Sequence, residues 1–394
     1  MDNTLIIGDI GSGKSQSLVM PEINEILKEQ QNKVGIGLTV FDPHGETAKY
    51  TQVLAEKSNL PYILLKPNDT NITDTFNVLS GDTKTVSEML TASITEQYKS
   101  NKYKESFFAE IFTRHITTLV KQSGDTTLKE LLEIMKDKDA IIRLANEINE
   151  DSRYSYLTYF VHRVMFGKYE EEFKEVRSNI ISLLEKALSE EGIIETFSKK
   201  SSFDLKEFID GTGILIVDTS TTQNDLIRKL MLMQVQEAVF AKVNKDEDTN
   251  HQRIVVENIT KHINVDLDVF LSLNRVYNTS VIYTARSVES LKVEIGKFEK
   301  DGMVNVLLSN IANKVLFTDS SNLESEFERT FGNQKIKVKQ SIVRLSGSEV
   351  ETLSNKTVNI DELHNLPPYH FIYQFRENDI LQPIRIGKGE LVSK

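Results

Sequence analysis

Thr4-Leu5-Ile6-Ile7-Gly8-Asp9-Ile10-Gly11-Ser12-Gly13-Lys14-Ser15-Gln16 decides the fold of this chain. An apolar, β-prone run enters the pattern G-x-x-x-x-G-K-[ST] with no spacer, and a helix is expected from about Lys14. The chemistry needs that order. Glycines let backbone N–H groups turn inward around phosphate oxygens, the lysine reaches the outer phosphates, and the hydroxyl that follows can ligate Mg²⁺. The helix behind the loop aims the positive end of its dipole at the anion. Residues Gly8 through Gln16 (Gly8, Asp9, Ile10, Gly11, Ser12, Gly13, Lys14, Ser15 and Gln16) are therefore the candidate nucleotide-binding set, with a nucleoside triphosphate and Mg²⁺ as expected ligands.

Working outward, strands and helices alternate. Val34–Phe41 is a strand that ends at Asp42-Pro43-His44-Gly45-Glu46, a helix follows to about Ser58, and Tyr62–Leu65 is a short strand. Alternation of this kind implies a parallel sheet with helical crossovers. Residues 84–205 change character. Phe108, Ile111, Phe112, Ile116 and Leu119 recur at helical spacing, and the segment contains no proline, so it reads as an all-helical insertion. The α/β pattern returns with Gly213–Asp218, Arg253–Asn258, Ser280–Thr284 and Asn313–Thr318 as strands. From about Lys335 alternating residues suggest antiparallel edge strands. The expected fold is α/β: a nucleotide-binding domain with a mostly parallel sheet over 1–83 and 206–394, carrying an all-α domain over 84–205.

The chain has 394 residues, no cysteine and a net charge of −11. Disulfides and thiolate metal sites are excluded, and a broad basic face for duplex DNA is disfavoured. A narrow channel lined by a few cations is compatible with that charge. No apolar run approaches the ~20 residues needed to cross a bilayer.

A second acid belongs at the end of a strand near the P-loop, where it holds Mg²⁺ while an adjacent Glu orients the attacking water. Glu257, after Ile254-Val255-Val256, fits best. Asp218 is its rival and reads more simply as a strand-terminal cap. Asp42 reads equally as a ligand at the sheet edge or as the cap of a turn. Arg275 precedes and Arg286 follows the strand Ser280–Thr284. Either is a surface charge or a cation that senses a γ-phosphate, Arg275 from across a subunit boundary.

Taken in order, these pieces resemble the coupling proteins of conjugative type IV secretion (TraG/TraD type) in the FtsK–HerA superfamily of P-loop ATPases. Pro21 in "SLVMPEINEIL", "VFDPHGETAKY", Phe76-Asn77 in "DTFNVLSG", "RIVVENITKHI", "SLNRVYNTSVIYTARSVESL" and the closing "LPPYHFIYQFRENDILQPIRI" fall in the family's order over nearly the whole chain. The His44 version of the Asp-Pro motif is closer to HerA helicases. The resemblance implies a RecA-like nucleotide-binding domain and a hexameric ATPase, monomeric as the alternative in isolation, that moves DNA, single-stranded in a central pore, with a relaxase toward a secretion channel. By position, Lys14 and Ser15 serve phosphate and metal, Glu257 is the metal acid, and Arg275 acts on a neighbouring subunit's nucleotide. The family's Asp-Glu pair is Glu257-Asn258 here, and Arg286 replaces a glutamine, so weak turnover on an ATP-binding scaffold is the competing expectation. A HerA-like translocase is the third. The family's membrane helices are not in this sequence; the expected place is the cytoplasm, held to the inner face of the plasma membrane by a partner, unless this is a soluble fragment.

Overall fold

The computed structural model describes residues 2–71, 74–96, 103–148, 152–242, 250–264, 266–296, 303–317, 323–331, 337–343, 349–357, 367–377, 380–389 and 391. Contacts divide the chain into two compact units, Met1–Leu64 with Leu205–Ser220 and Gln236–Lys394, and Leu65–Asp204 with Thr221–Val235.

The first unit is built on strands β1 (Thr4–Ile7), β2 (Ile36–Asp42), β3 (Tyr62–Leu65), β4 (Ile214–Asp218), β5 (His251–Val256), β6 (Thr279–Ala285), β7 (Asn313–Phe317), β8 (Lys337–Val343), β9 (Glu349–Thr357), β10 (His370–Gln374), β11 (Arg376–Glu377), β12 (Ile380–Leu381) and β13 (Arg385–Lys388). Among the described residues the main sheet has the order β3-β4-β2-β5-β6-β1-β7-β10-β13-β8-β9, and β11 pairs with β12. From β4 through β2, β5, β6 and β1 to β7 every pairing is parallel. These strands are continuous apolar runs because both faces are covered: Leu5, Ile6, Ile7, Leu215, Ile216, Ile254, Val255 and Val256 are all fully buried.

Register is what builds a site here. Ile7 pairs with Ala285, Val256 with both Phe41 and Tyr283, and Asp42 with Asp218. The carboxyl ends of β1, β2, β4, β5 and β6 therefore finish nearly level, and the residues just beyond them share one edge of the sheet, where open α/β folds bind ligands.

Three local readings change. The edge beyond β7 is mixed rather than purely antiparallel: β10 is antiparallel to β7 and β13, but β8 runs parallel to β13. The helix after the P-loop is not one uniform element. Ser15–Val19 is a π-turn, and α1 (Met20–Gln31) begins after it, which puts Pro21 in the first turn. A proline there removes no needed N–H, so it sits without the cost of an interior position. The helix expected over Asp266–Val276 ends at Leu273 and continues as a 3-10 turn, Asn274–Tyr277, before left-handed Asn278 turns the chain into β6.

The second unit is helical among the described residues, with helices at Thr83–Thr95, Tyr103–Gln122, Leu128–Lys136, Lys138–Glu147, Ser155–Tyr159, Glu170–Ala187 and Glu191–Phe197, and a π-helix at Phe160–Lys168. Phe112, Ile116, Leu119, Phe173, Ile180 and Leu184 supply its buried stripe. Thr127 and Glu130 form a reciprocal capping box at the start of Leu128–Lys136. The sequence reading starts the helical segment at 84, whereas the compact unit starts at Leu65. Phe76 and Asn77 account for the difference. The Phe76 N–H donates to Thr196 O over 2.8 Å, and Asn77 Nδ2 to Thr126 O over 3.1 Å. Both side chains are buried, so the strand-to-helix connection belongs with the helices it anchors.

Candidate nucleotide site

β1 delivers the chain into the loop at Gly8, whose N–H donates to Ala285 O over 3.2 Å and docks the loop on the end of β6. The Ser12 N–H folds back to Asp9 O over 3.2 Å. Gly11 and Gly13 sit at φ +88° and +91°, a region that L side chains rarely adopt. Lys14 Nζ donates to Gly8 O over 2.7 Å and to Asp9 O over 2.8 Å. The ammonium thus lies inside the loop that its motif is built to hold around phosphate. Ile10 is 87% exposed, so it contributes backbone and no side-chain packing. Gln16 is half-buried in the π-turn.

Glu257 is the acid that reaches this loop. Its N–H donates to Phe41 O over 2.9 Å, which fixes it beside the end of β2. Its carboxylate accepts from Thr47 Oγ1 at 2.9 Å and from Thr284 Oγ1 at 2.6 Å, and the Ser15 hydroxyl stands close enough to favour its charged form. Three elements thus converge on one buried carboxylate: the P-loop, the helix α2 (Glu46–Lys57) and β6. Burial raises its pKa above the usual carboxylate range and the nearby Asp42 charge adds to this, while the Thr284, Ser15 and Thr47 hydroxyls oppose it.

The rival acids are spent on caps. Asp42 accepts from the His44 N–H over 2.7 Å and the Ala48 N–H over 3.0 Å, so it ties down the start of α2. Asp218 accepts from the Ser220 N–H over 3.0 Å and from Ser220 Oγ over 2.6 Å. His44 is exposed. Asn258 occupies left-handed backbone at φ +51°; its N–H donates to Thr284 Oγ1 over 2.8 Å, and its Oδ1 accepts from Thr260 Oγ1 over 2.6 Å.

The two arginines separate. Arg286 follows the carboxyl end of β6, is 65% exposed, and pairs through Nε with Asp9 Oδ1 at 3.3 Å. Arg275 precedes the amino end of the same strand and pairs with Asp2 Oδ1 at 2.9 Å. Parallel strands put those two positions at opposite ends of the sheet. Within one chain Arg286 joins the P-loop and Arg275 does not.

Tyr369 is a neighbour of the loop that local sequence does not disclose. It lies at φ +68°, and a Cβ placed on Gly13 would come within 2.4 Å of its ring. The Gly389 N–H donates to Tyr369 O over 3.0 Å and pins that backbone. Pro367-Pro368 signals a turn before β10; nothing local signals that the turn sets a ring against a loop more than 350 positions earlier in the chain. The same holds for Thr47 and Thr284, whose hydroxyls become visible as partners only once the strand order is known.

Among the described residues no group of three or more His, Asp or Glu side chains is placed to cage a metal. Residues 2–341 match the family described as type IV secretory system conjugative DNA transfer. None of the curated proteins matches the chain significantly. Among solved structures, the bacterial conjugative coupling protein TrwBdeltaN70 in complex with sulphate aligns with a TM-score of 0.66 at 13% identity, covering 99% of this chain and 86% of that one. The plasmid coupling protein TrwB in complex with ADP and Mg²⁺ aligns at 0.63 and 13% identity, covering 99% and 86%. VirB4 of Thermoanaerobacter pseudethanolicus aligns at 0.57 and 13% identity, covering 99% and 89%. At these identities the likeness is one of fold.

Proposed function

Because this chain belongs to the type IV secretory system conjugative DNA transfer family, we propose that it is a coupling ATPase of conjugation, binding Mg²⁺-ATP at Gly8–Gln16 and using it to drive DNA toward a secretion channel. The observation that carries the reading is the buried Glu257 carboxylate, held by Thr47 and Thr284 beside Ser15 of the P-loop. A hydroxyl and a carboxylate brought together beside a lysine-bearing phosphate loop are what P-loop enzymes offer to Mg²⁺, which takes few protein ligands and completes its shell with phosphate oxygens and water. TrwB, the likeness in fold, is a plasmid coupling protein known in complexes with ADP and Mg²⁺ and with an ATP analogue.

Lys14 neutralises phosphate charge by exchanging its loop carbonyls for phosphate oxygens. Ser15 and Glu257 hold the metal, and Mg²⁺ supplies charge neutralisation across the phosphates. Arg286, paired with Asp9, stands where it can meet the outer phosphate. In this reading Arg275, at the far end of β6, serves a nucleotide on an adjacent subunit, and the working form is a homohexamer around single-stranded DNA. A relaxase and a membrane-bound secretion component are the protein partners in this reading. Among the described residues no helix is long and apolar enough to cross a membrane; in this reading a partner holds the protein at the inner membrane face.

Asn258 favours a second reading, an ATP-binding scaffold with slow turnover. It follows the metal acid, its amide cannot act as a base, and its Oδ1 is engaged by Thr260. ATP binding and ATPase rate, measured with and without single- and double-stranded DNA and beside Lys14→Ala, decide between them. DNA-stimulated hydrolysis lost in Lys14→Ala supports the motor; Lys14-dependent binding with no stimulated turnover supports the scaffold. Binding that is indifferent to Lys14→Ala removes both.

A further inference from the structure

The turn that carries Arg275 is fixed from inside by a pair of amides. Asn274 opens the 3-10 turn Asn274–Tyr277, and Asn3 stands immediately before β1. Both side chains are fully buried. Asn274 Nδ2 donates to Asn3 Oδ1 over 2.8 Å, and Asn3 Nδ2 donates back to Asn274 Oδ1 over 3.2 Å. Asn3 Oδ1 also accepts the Val281 N–H over 3.2 Å. One side chain therefore grips the chain on both sides of the turn. Its own backbone is tied to β7, since Asn3 O accepts the Asn313 N–H over 3.0 Å. The Asn278 N–H closes the turn on Arg275 O over 3.1 Å. The Arg275 side chain, next to a buried asparagine, is 44% exposed.

Two apolar side chains would fill the same space with no polar group to satisfy, whereas a reciprocal amide pair fixes direction as well as distance. The Arg275–Asp2 ion pair does not fix the turn. It is partly exposed, and pairs of that kind are weak. The backbone of the turn is thus held firmly by Asn3 and the guanidinium only loosely by Asp2. That division suits a cation that leaves its resting carboxylate for a phosphate while its backbone stays in place. We propose that Asn3 and Asn274 are positioning residues for Arg275, aiming it at the nucleotide of the adjacent subunit. β1 begins at this pair and ends in the phosphate loop, about 17 Å further on at the rise of a strand. The same strand therefore carries the loop for a subunit's own nucleotide and the anchor of the arginine that serves its neighbour's. The inference rests on the reading of Arg275 given above and adds the residues that set its position.

The test measures DNA-stimulated ATPase rate and ATP affinity of the full chain in Asn274→Ala, Asn3→Ala and Arg275→Ala, each alone and mixed with Lys14→Ala. Lys14→Ala subunits cannot use ATP but keep an intact arginine for a neighbour. Asn274→Ala and Asn3→Ala should lower kcat at least ~10-fold, part of the ~10³–10⁵ that an arginine of this kind supplies, with ATP affinity unchanged. Mixing with Lys14→Ala should restore turnover to all three, because the arginine then comes from the partner. Asn274→Ser, too short to complete the pair, replaces Asn274→Ala if that variant does not melt cooperatively. Asparagine variants with wild-type kcat beside an impaired Arg275→Ala overturn the inference and leave Arg275 assigned. Asparagine variants that lose turnover and are not restored in the mixture, while Arg275→Ala is, make the pair merely structural and also overturn it. Arg275→Ala with wild-type kcat or beyond rescue, or wild type without turnover, removes the reading of Arg275 and the inference with it.

Discussion

Thr284 donates its hydroxyl to Glu257 over 2.6 Å, and the same oxygen accepts the Asn258 N–H over 2.8 Å. One side chain on β6 thereby fixes both the acid that ends β5 and the backbone that follows it. Because Ser15 lies beside the same carboxylate, the position of the acid we propose for the metal depends on a neighbouring strand as well as on its own.

Thr284→Val keeps the shape and removes that hydroxyl. A buried carboxylate loses one of its donors and a half-buried N–H loses its acceptor, at a combined cost of about 1–3 kcal/mol. The Thr284 bond also holds the Glu257 pKa down against burial. Without it the carboxyl titrates higher still, so the acid limb of Mg²⁺-ATP affinity moves to higher pH. Binding titrations from pH 5 to pH 8 check this; an acid limb that stays in place or moves down refutes it.

Asn258 owes its identity to conformation as well as contact. Its φ of +51° lies in the left-handed region, which Asn tolerates and most residues do not. Asn258→Gly should lose only the Thr260 contact, whereas Asn258→Ala loses that contact and adds roughly 1–2 kcal/mol of backbone cost. Urea unfolding should rank wild type above Gly above Ala. Alanine equal to glycine would show that the turn is held by something other than backbone preference.

Gly13→Ala meets two obstacles: a φ of +91° and the Tyr369 ring, 2.4 Å from the new methyl. Nucleotide binding should fall to the level of Lys14→Ala. Tyr369→Ala removes only the second obstacle. The double variant should therefore be more stable than the two single changes predict, with a coupling of about 0.5–3 kcal/mol as found for residues in contact. Strict additivity in thermal melts would mean that the ring and the loop do not touch in solution.

Much of this arrangement can be read from the chain. Leu5-Ile6-Ile7 into Gly8–Ser15, and Ile254-Val255-Val256 into Glu257, are local patterns whose chemistry follows from residue type and order. The helical period around Phe108–Leu119 is equally local. What sequence leaves open is which strand lies beside which. Glu257 and Thr284 meet because β5 pairs with β6, and Asp9 meets Arg286 because β6 pairs with β1. Asp42 and Asp218 could be caps or ligands until the His44, Ala48 and Ser220 donors are in place. Pro21 looks disruptive until the π-turn before it moves it into a first turn. Tyr369 is the extreme case, since its partner is set by β10 lying two strands from β1.

His251 gives the clearest pH signature away from the site. Its Nδ1 lies 3.0 Å from Asn278 Oδ1 and its Nε2 lies 2.7 Å from Ser280 Oγ, which itself accepts from Arg253 at 2.7 Å. A neutral ring completes that chain: Nδ1–H donates to Asn278, and Nε2 accepts the Ser280 hydroxyl proton. Burial lowers its pKa from 6.5 to about 4, with the Arg253 charge acting in the same direction. A depressed folded-state value means that the stabilisation is fully present above the unfolded value and is lost as pH falls from about 6.5 toward about 4. The slope is at most about 1.4 kcal/mol per pH unit for this one proton. Glu22 and Glu257 have raised values from burial, so their contributions run the opposite way, present at low pH and weakening as pH rises. The informative quantity is therefore the difference between wild type and His251→Gln in urea unfolding at each pH. That difference should be constant above pH 7 and should shrink steadily between pH 6.5 and pH 4.5, because glutamine has no proton to gain. If the two curves stay parallel across that interval, His251 is not held neutral in the folded protein.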